Sequence, residues 1–487
     1  GKWRKVLWPI HSNELKKVIP MLLIFFGIMF NYTLLRNLKD GLIINAPGSG
    51  AEVIPFLKVW CMPIGAFGFM YFYIILSNIL DRERLFYYAI MPFLLFYILF
   101  SHIIIPFRME LTPDHLVRFL SNNLPESFQT LIVLIKYWYF TVFYVVSEIW
   151  GSAVGSLMFW GFANDITKIS EAKRFYALLG LGANLALIFQ RPIVQTLNYY
   201  IPDSSDPGVL INVYIAIIIF VGIGILLLYR YMNCYVLTDP TLYSPDEVKN
   251  KKNKKKLSFM QSMKFILSSK HLLLIALIVL SYGFSIILIE VAWKAQIKQV
   301  YSTPKQWLDY MSMNSLWLGF ATVFMMIFIS SNVIRAFGWF TAASITPTMM
   351  FLTGLPFCMI LIFEKELSTY VNEILGMTPL MLSIYLGSMH NISTKSAKYS
   401  LFDPTKEIAY IPLDPESRTK GKAAIDVLAS RLGKSGGSLS QQLLILYFGS
   451  IILAIPIISL LILLVVITWL YGNFSLGLSL KKYDKKI

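Results

Sequence analysis

Residues 18–44 read VIPMLLIFFGIMFNYTLLRNLKDGLII. As a helix at 1.5 Å per residue this run is about 40 Å long, more than the roughly 30 Å of hydrocarbon it would have to cross. Lipid offers no partner to a bare peptide group, so a run of this kind is stable in a membrane only as a closed helix. Similar runs centre on 54–80, 85–105, 129–162, 175–198, 209–233, 271–296, 313–334, 336–363, 378–396, 424–449 and 450–472. Hydrophobic residues make up 56% of the 487 and charged ones only 14%. A soluble protein carries about 25% charged residues, so the composition is that of a polytopic membrane protein. The first run also breaks its own pattern near its end, where Arg36, Lys39 and Asp40 stand at helical spacing on one face.

Twelve spans put both termini on one side, and charge tells which side. Basic residues crowd the N-terminal segment, the 164–174 loop, the 234–270 loop with its centre NKKNKKK, the 395–434 stretch and the tail. The alternate connections are neutral or acidic, carrying Glu52, Asp203, Asp206, Glu364, Glu366 and Glu373. The positive-inside rule therefore places both termini in the cytoplasm and explains the net charge of +16 without nucleic acid. The basic N-terminus leads into the first run with no small-residue cleavage site, so no cleavable signal peptide is expected. Three scattered cysteines give neither a disulfide framework nor a metal site.

The 234–270 loop divides the chain into halves that echo each other weakly. Ser77-Asn78-Ile79-Leu80 is matched by Ser331-Asn332-Val333-Ile334; Tyr32, eight residues before Asp40, by Tyr282, eight before Glu290. The expected fold is an all-α integral membrane protein with twelve transmembrane helices in two six-helix halves, of major-facilitator type. Its expected parts are a cytoplasmic N-terminus 1–17, a bundle 18–233, a linker 234–270, a second bundle 271–472 and a cytoplasmic tail 473–487.

Charge at membrane depth marks a transport path. Arg36 and Lys39 together suit a polyphosphate, Arg as a planar donor fork and Lys as a point charge. Glu290 and Lys294 form an i, i+4 pair late in the seventh run. Helices 1 and 7 are repeat equivalents, so Lys39 is expected to pair with Glu290, and Asp40 with Lys294, closing the outer mouth. Glu148 sits midway along the fourth run, where a lone carboxylate costs about 2.5–3.5 kcal/mol and so faces a cavity or a partner. Lys136 lies twelve residues earlier in the same run. Gly433-Lys434-Ser435-Gly436-Gly437 resembles the tail of a phosphate loop, but Leu428 stands where that loop needs glycine, which excludes the ATPase reading. Phosphate approach near Gly433 and Gly436 and close helix packing by small residues both remain open there. No zinc-helix or nucleophile-elbow motif is present, so no catalytic, metal or cofactor site is expected.

Long segments then carry a resemblance. LWPIHSNELKKVIPM, NYTLLRNLKDGLIINAPGSGAEVIPFLK, SEIWGS, FWGFANDITKISEAKRFYALLGLGAN, VLTDPTLY, IEVAWKAQIK, LFDPTKEIAYIPLD and KGKAAIDVLASRLGKSGG occur in the order seen in the ATP/ADP translocases of obligate intracellular bacteria and plastids. The chain resembles that family from about Leu7 to about Leu470. The resemblance implies exchange of external ATP for internal ADP in the inner membrane of an intracellular bacterium; the protein is expected to be a monomer. Import of other nucleotides, driven by protons rather than exchange, is the alternative it leaves. It further implies roles in transport for Lys39, Glu148, Glu290 and a C-terminal lysine, Lys434 in preference to Lys422. Tyr32 and Tyr282 are candidates for stacking on the base. Within 185–195 the sequence LALIFQRPIVQ is unlike the family pattern, and Arg191 is an extra cation there that could tune substrate choice.

Overall fold

Among the described residues every regular element in the computed structural model is helical; these are residues 11–484 except 204–205, 241, 244–263, 265, 268, 415–416, 418–420 and 423. The lysine-rich centre of the expected linker lies outside them. In chain order the long helices are α1 Leu15–Ile44, α2 Val53–Ile79, α3 Arg82–Ile104, α4 Trp138–Ile166, α5 Ile169–Tyr200, α6 Gly208–Val236 and α7 Lys270–Val300. They continue with α8 Pro304–Ile329, α9 within Ser330–Ile362, α10 Pro379–Ala397, α11 Ser430–Phe448 and α12 Ile455–Asp484. The eighth helix runs on through Ser330 to Gly338, whose φ of 80° and ψ of 174° break it and start α9. Glycine alone enters that backbone region without strain.

Local chemistry explains several starts. The Asp81 carboxylate accepts the Arg84 N–H at 3.1 Å to begin α3. Thr303 and Thr378 cap α8 and α10, each accepting an N–H at 3.2 Å, and each is followed by a proline at the first helical position. The expected fourth run is two helices, not one. Tyr137, at φ −103° and ψ 45°, separates Gln129–Lys136 from α4. Its hydroxyl donates to Pro47 O at 2.9 Å and the Trp138 indole to Leu111 O, at the end of a short helix, at 2.9 Å, so both aromatic tips are spent on distant carbonyls at the helix mouth. Lys136 therefore stands before the span, 5.2 Å over the Tyr137 ring, and not within it.

Ten helices among the described residues are long and apolar enough to cross a membrane. The expected tenth and eleventh spans are present as helices but are too polar for that criterion. α10 carries His390, Asn391, Ser393, Thr394 and Lys395, and α11 carries Ser438, Ser440, Gln441 and Gln442. Both are shielded by neighbours: α10 packs on α7, α8 and α9, and α11 on α7. The α7–α11 seam is close because of two glycines. A Cβ on Gly433 would stand 2.6 Å from Leu280 O, and one on Gly437 2.7 Å from Phe284 O. Gly433 and Gly437 thus serve the close packing of α11 on α7, while a Cβ on Gly436 would meet only the Phe284 ring, at 3.6 Å.

Each half is built on its first helix: α1 packs on α4, α5 and α6, and α7 on α10, α11 and α12. One indole N–H ties each pair of helices that bears the charged residues, Trp150 to Ile28 O and Trp293 to Ile384 O, both at 3.2 Å. Between the halves, α5 lies along α8 and α11 crosses the beginning of α2.

Candidate functional site

Helical spacing places Tyr32, Arg36, Lys39 and Asp40 along one face of α1, and Tyr282, Glu290 and Lys294 along one face of α7. Where these faces meet, six side chains alternate in sign. Glu148 of α4 lies 3.0 Å from Lys39, Lys39 2.8 Å from Asp40, and Asp40 2.8 Å from Lys294. Lys294 continues to Glu290 at 2.9 Å, and Glu290 to Lys395 of α10 at 3.8 Å. Lys39, Asp40 and Lys294 are no more than 5% exposed, Glu148 is 28% exposed. The Lys39 ammonium also sits 3.6 Å over the Tyr144 ring.

The link between Asp40 and Lys294 joins the two halves, as the sequence led one to expect. The other expected pair does not form: Lys39 is held by Asp40 and Glu148 of its own half, and Glu290 by Lys294 and Lys395 of the other. The reason is geometric. Glu148 reaches Lys39 from the neighbouring helix, while Lys294 already spans the gap to Asp40.

Two further cations face this row without an ion pair or hydrogen bond among the described residues. Arg36 lies within Coulombic reach of Glu290 and Asp40, and Lys58 of α2 within reach of Glu290, Lys294, Glu148 and Lys39. Five cations thus meet three carboxylates, leaving a surplus of two positive charges in a low-dielectric setting. Such a site has room for an anion's charge. Aromatic groups border it. The Tyr32 ring packs on the backbone of Gly151, where a Cβ would stand 2.4 Å from it. Tyr282 stacks on Phe402 with ring centres 5.5 Å apart, and the half-exposed Tyr399 lies within Coulombic reach of both Arg36 and Tyr282.

The remaining expected residues lie outside the row. Lys422 pairs with Glu407 at 2.5 Å and is 43% exposed; Lys434 is exposed on α11, its backbone against Gly283. Arg191 is engaged across the halves, donating to Asp309 Oδ1 at 2.6 Å, Asp309 O at 2.8 Å and Ser312 Oγ at 3.0 Å. Lys58, Tyr144, Lys395 and Tyr399 were not singled out from sequence. Lys58 was legible as a lysine inside the 54–80 run, and Lys395 as one at the end of the 378–396 run.

More contacts join the halves toward the face opposite the termini. Lys305 donates to Ile201 O at 2.7 Å and to Asp203 at 2.6 Å, Asn198 donates to Lys305 O at 3.2 Å, and Lys298 donates to Ser49 O. On the other side of the row, the inner length of α2, Met62–Ile79, has no buried residue. The bonds of Lys298, Lys305 and Asn198 seal the halves at the face opposite the termini. Two helical bundles meeting over a buried charge row define a membrane transporter of the major-facilitator fold. That fold is shared with solved structures: the xylose transporter XylE from E. coli aligns at a TM-score of 0.54 and 12% identity, over 93% of this chain and 97% of that one. A bacterial homologue of the iron transporter ferroportin aligns at 0.53 and 14%, over 94% and 98%.

Sequence comparison is more specific. The TLC ATP/ADP transporter model matches residues 1–480, and the chain belongs to that family. It is 49% identical to ADP,ATP carrier protein 1 of Chlamydia muridarum over 98% of its own length and 91% of the relative's. It is 44% identical to the chloroplastic ADP,ATP carrier protein 1 of Arabidopsis thaliana, over 96% and 75%, and 40% identical to ADP,ATP carrier protein 1 of Rickettsia typhi, over 96% and 94%.

Proposed function

We propose that this protein exchanges external ATP for internal ADP by alternating access, in the inner membrane of an intracellular bacterium, with both termini cytoplasmic. The observation that carries the reading is the alternating charge row, joined across the halves at Asp40–Lys294 and flanked by the uncompensated Arg36 and Lys58. ATP and ADP carry about four and three negative charges near neutral pH. Nucleotide arriving from the termini side meets Arg36, Lys58 and Lys395 first, and its phosphates take the place of carboxylates as partners of the lysines. Glu290 and Glu148 then lose their hold on Lys294 and Lys39, and the Asp40–Lys294 link is free to part. Tyr32, Tyr282 and Tyr399 supply rings beside the cations for the base.

The same row explains exchange. Opening the outer face with no anion present would strip buried charges of their partners, at about 3–5 kcal/mol for one such pair. Bound polyphosphate offsets that cost, so the loaded carrier turns and the empty one does not. No bond is made or broken in this cycle. The nucleotide leaves as it entered, which makes the protein a carrier and not an enzyme.

Uptake of labelled ATP into proteoliposomes preloaded with ADP tests the reading. Exchange predicts uptake that needs internal ADP and does not respond to an imposed proton gradient. Uptake into empty vesicles, rising with an inward proton gradient, would replace exchange with proton-coupled import.

A further inference from the structure

A cavity of about 560 Å³ lies behind the charge row, between α2, α3 and α4. Small-molecule sites fall between about 300 and 1,000 Å³, and most set a few polar groups toward the ligand. This one does not. Its walls include Cys61, Gly68 and Phe72 of α2, Pro92 and Phe96 of α3, and Val142 of α4. The hydroxyl of Thr141, which also lines it, is spent on Leu134 O at 3.0 Å. Water would find no partner here, and apolar cavities of this kind stay dry. The groove opens outward onto bilayer-facing surface, where Ile64 is 75% exposed and Phe72 38%. At that depth the surrounding medium is hydrocarbon.

The groove's floor and mouth are set by two glycines. A Cβ on Gly65 would stand 2.2 Å from Val145, so α2 and α4 touch there; one on Gly68 would meet nothing within 4 Å. Its walls are the backs of the helices that present the site. On α2 the π-helical turn Leu57–Cys61 resets the register between Lys58 and the groove stripe Cys61, Gly65, Gly68 and Phe72. On α4, Val142, Val145, Val146 and Ile149 form the stripe beside Glu148.

We propose that this groove is a binding site for one acyl chain of a phospholipid. The apolar walls select hydrocarbon, the opening is continuous with the bilayer-facing surface, and the volume suits one chain. Lodged there, the chain supplies contacts that the inner length of α2 lacks from protein, and so steadies the wall on which Lys58 and Glu148 stand.

The test is photolabelling of the protein reconstituted in phospholipid that carries a diazirine midway along one acyl chain, with adducts mapped by mass spectrometry. Adducts should concentrate several-fold on the groove stripes of α2, α3 and α4 relative to Leu460, Leu464 and Ile467, exposed residues of α12. Gly68→Leu, which fills the groove, should bring the groove's labelling down to the α12 level. Equal labelling of groove and α12 in the unmodified protein would overturn the site without recourse to any variant. Unchanged labelling in Gly68→Leu would do the same, and so would a sterol that displaces the label, since it would name a different occupant.

Discussion

Replacing Asp40 with asparagine takes one charge from the row while keeping its shape. Asp40 accepts from Lys39 and from Lys294, both at 2.8 Å, and is 1% exposed. The variant leaves two buried ammonium groups facing each other across the joint, each with one carboxylate left, Glu148 or Glu290. Breaking a buried pair costs about 3–5 kcal/mol, and the amide oxygen that remains as an acceptor places this case near 3. At about 1.4 kcal/mol per decade, the outward-open state should gain more than a hundredfold in population over the sealed one. Ser49 reports on that equilibrium. It sits at the sealed face beside Lys298, and its hydroxyl is buried with no partner, so a cysteine there is hidden while the halves are closed. With the native cysteines replaced by alanine, a membrane-impermeant thiol reagent applied outside should label Ser49→Cys on the order of a hundred times faster when Asp40→Asn is added. ATP/ADP exchange should fall in the same protein. Unchanged labelling in folded, inserted Asp40→Asn would show that the Asp40–Lys294 link does not hold the outer face shut.

Lys58→Gln removes a cation with no carboxylate of its own; losing one charge-assisted bond of about 1.5–3 kcal/mol should raise the KM for ATP and ADP by roughly ten- to a hundredfold, read from the concentration dependence of uptake. Arg191→Ala frees α5 from Asp309 and Ser312, and should speed labelling at Ser49→Cys with little change in KM, because the bonds of Arg191 run between the halves. Gly151→Ala drives a methyl to 2.4 Å from the Tyr32 ring; overpacking of about 1–3 kcal/mol should lower both thermal stability and exchange, and Tyr32→Ala in the same chain should restore the stability. Gly433→Ala meets backbone at 2.6 Å and should cost folded protein in detergent, whereas Lys434→Ala, on the exposed side of the same helix, should not.

The spans were legible because lipid imposes one rule on every residue of a helix, and hydropathy reports it. The rule fails where protein replaces lipid. α10 and α11 are wrapped by neighbours, so their polar residues cost little; the runs 378–396 and 424–449 were legible as spans, but among the described residues only ten other helices are apolar enough to cross lipid on their own. The Asp40–Lys294 contact followed from repeat equivalence plus helical spacing, which fix a face and a depth. Neither fixes which of two nearby carboxylates a lysine takes, and Lys39 took Asp40 and Glu148. Lys395 was counted as part of a basic stretch, since its place opposite Glu290 depends on α10 continuing as a helix past the apolar run. Lys58 was absorbed into an ordinary span for the same reason: a single charge in a long apolar run has no sequence signature of its target. The break at Tyr137 rests on hydrogen bonds to distant carbonyls, which no local pattern contains.

The polarity of α10 and α11 also constrains how the protein is made. A helix leaves the translocon for lipid on its own only when its side chains favour that transfer, and the polar residues of α10 and α11 weaken it. α11 buries Ser438, Gln441 and Gln442 along one side, and of these polar groups the Gln441 amide nitrogen bonds to α7, donating to Ile287 O at 3.1 Å and to Leu288 O at 3.0 Å. α10 likewise finds its cover in α7, α8 and α9, which are synthesised before it. The second half must therefore assemble in order, with the late polar helices handed to a waiting α7 and not released singly into the bilayer.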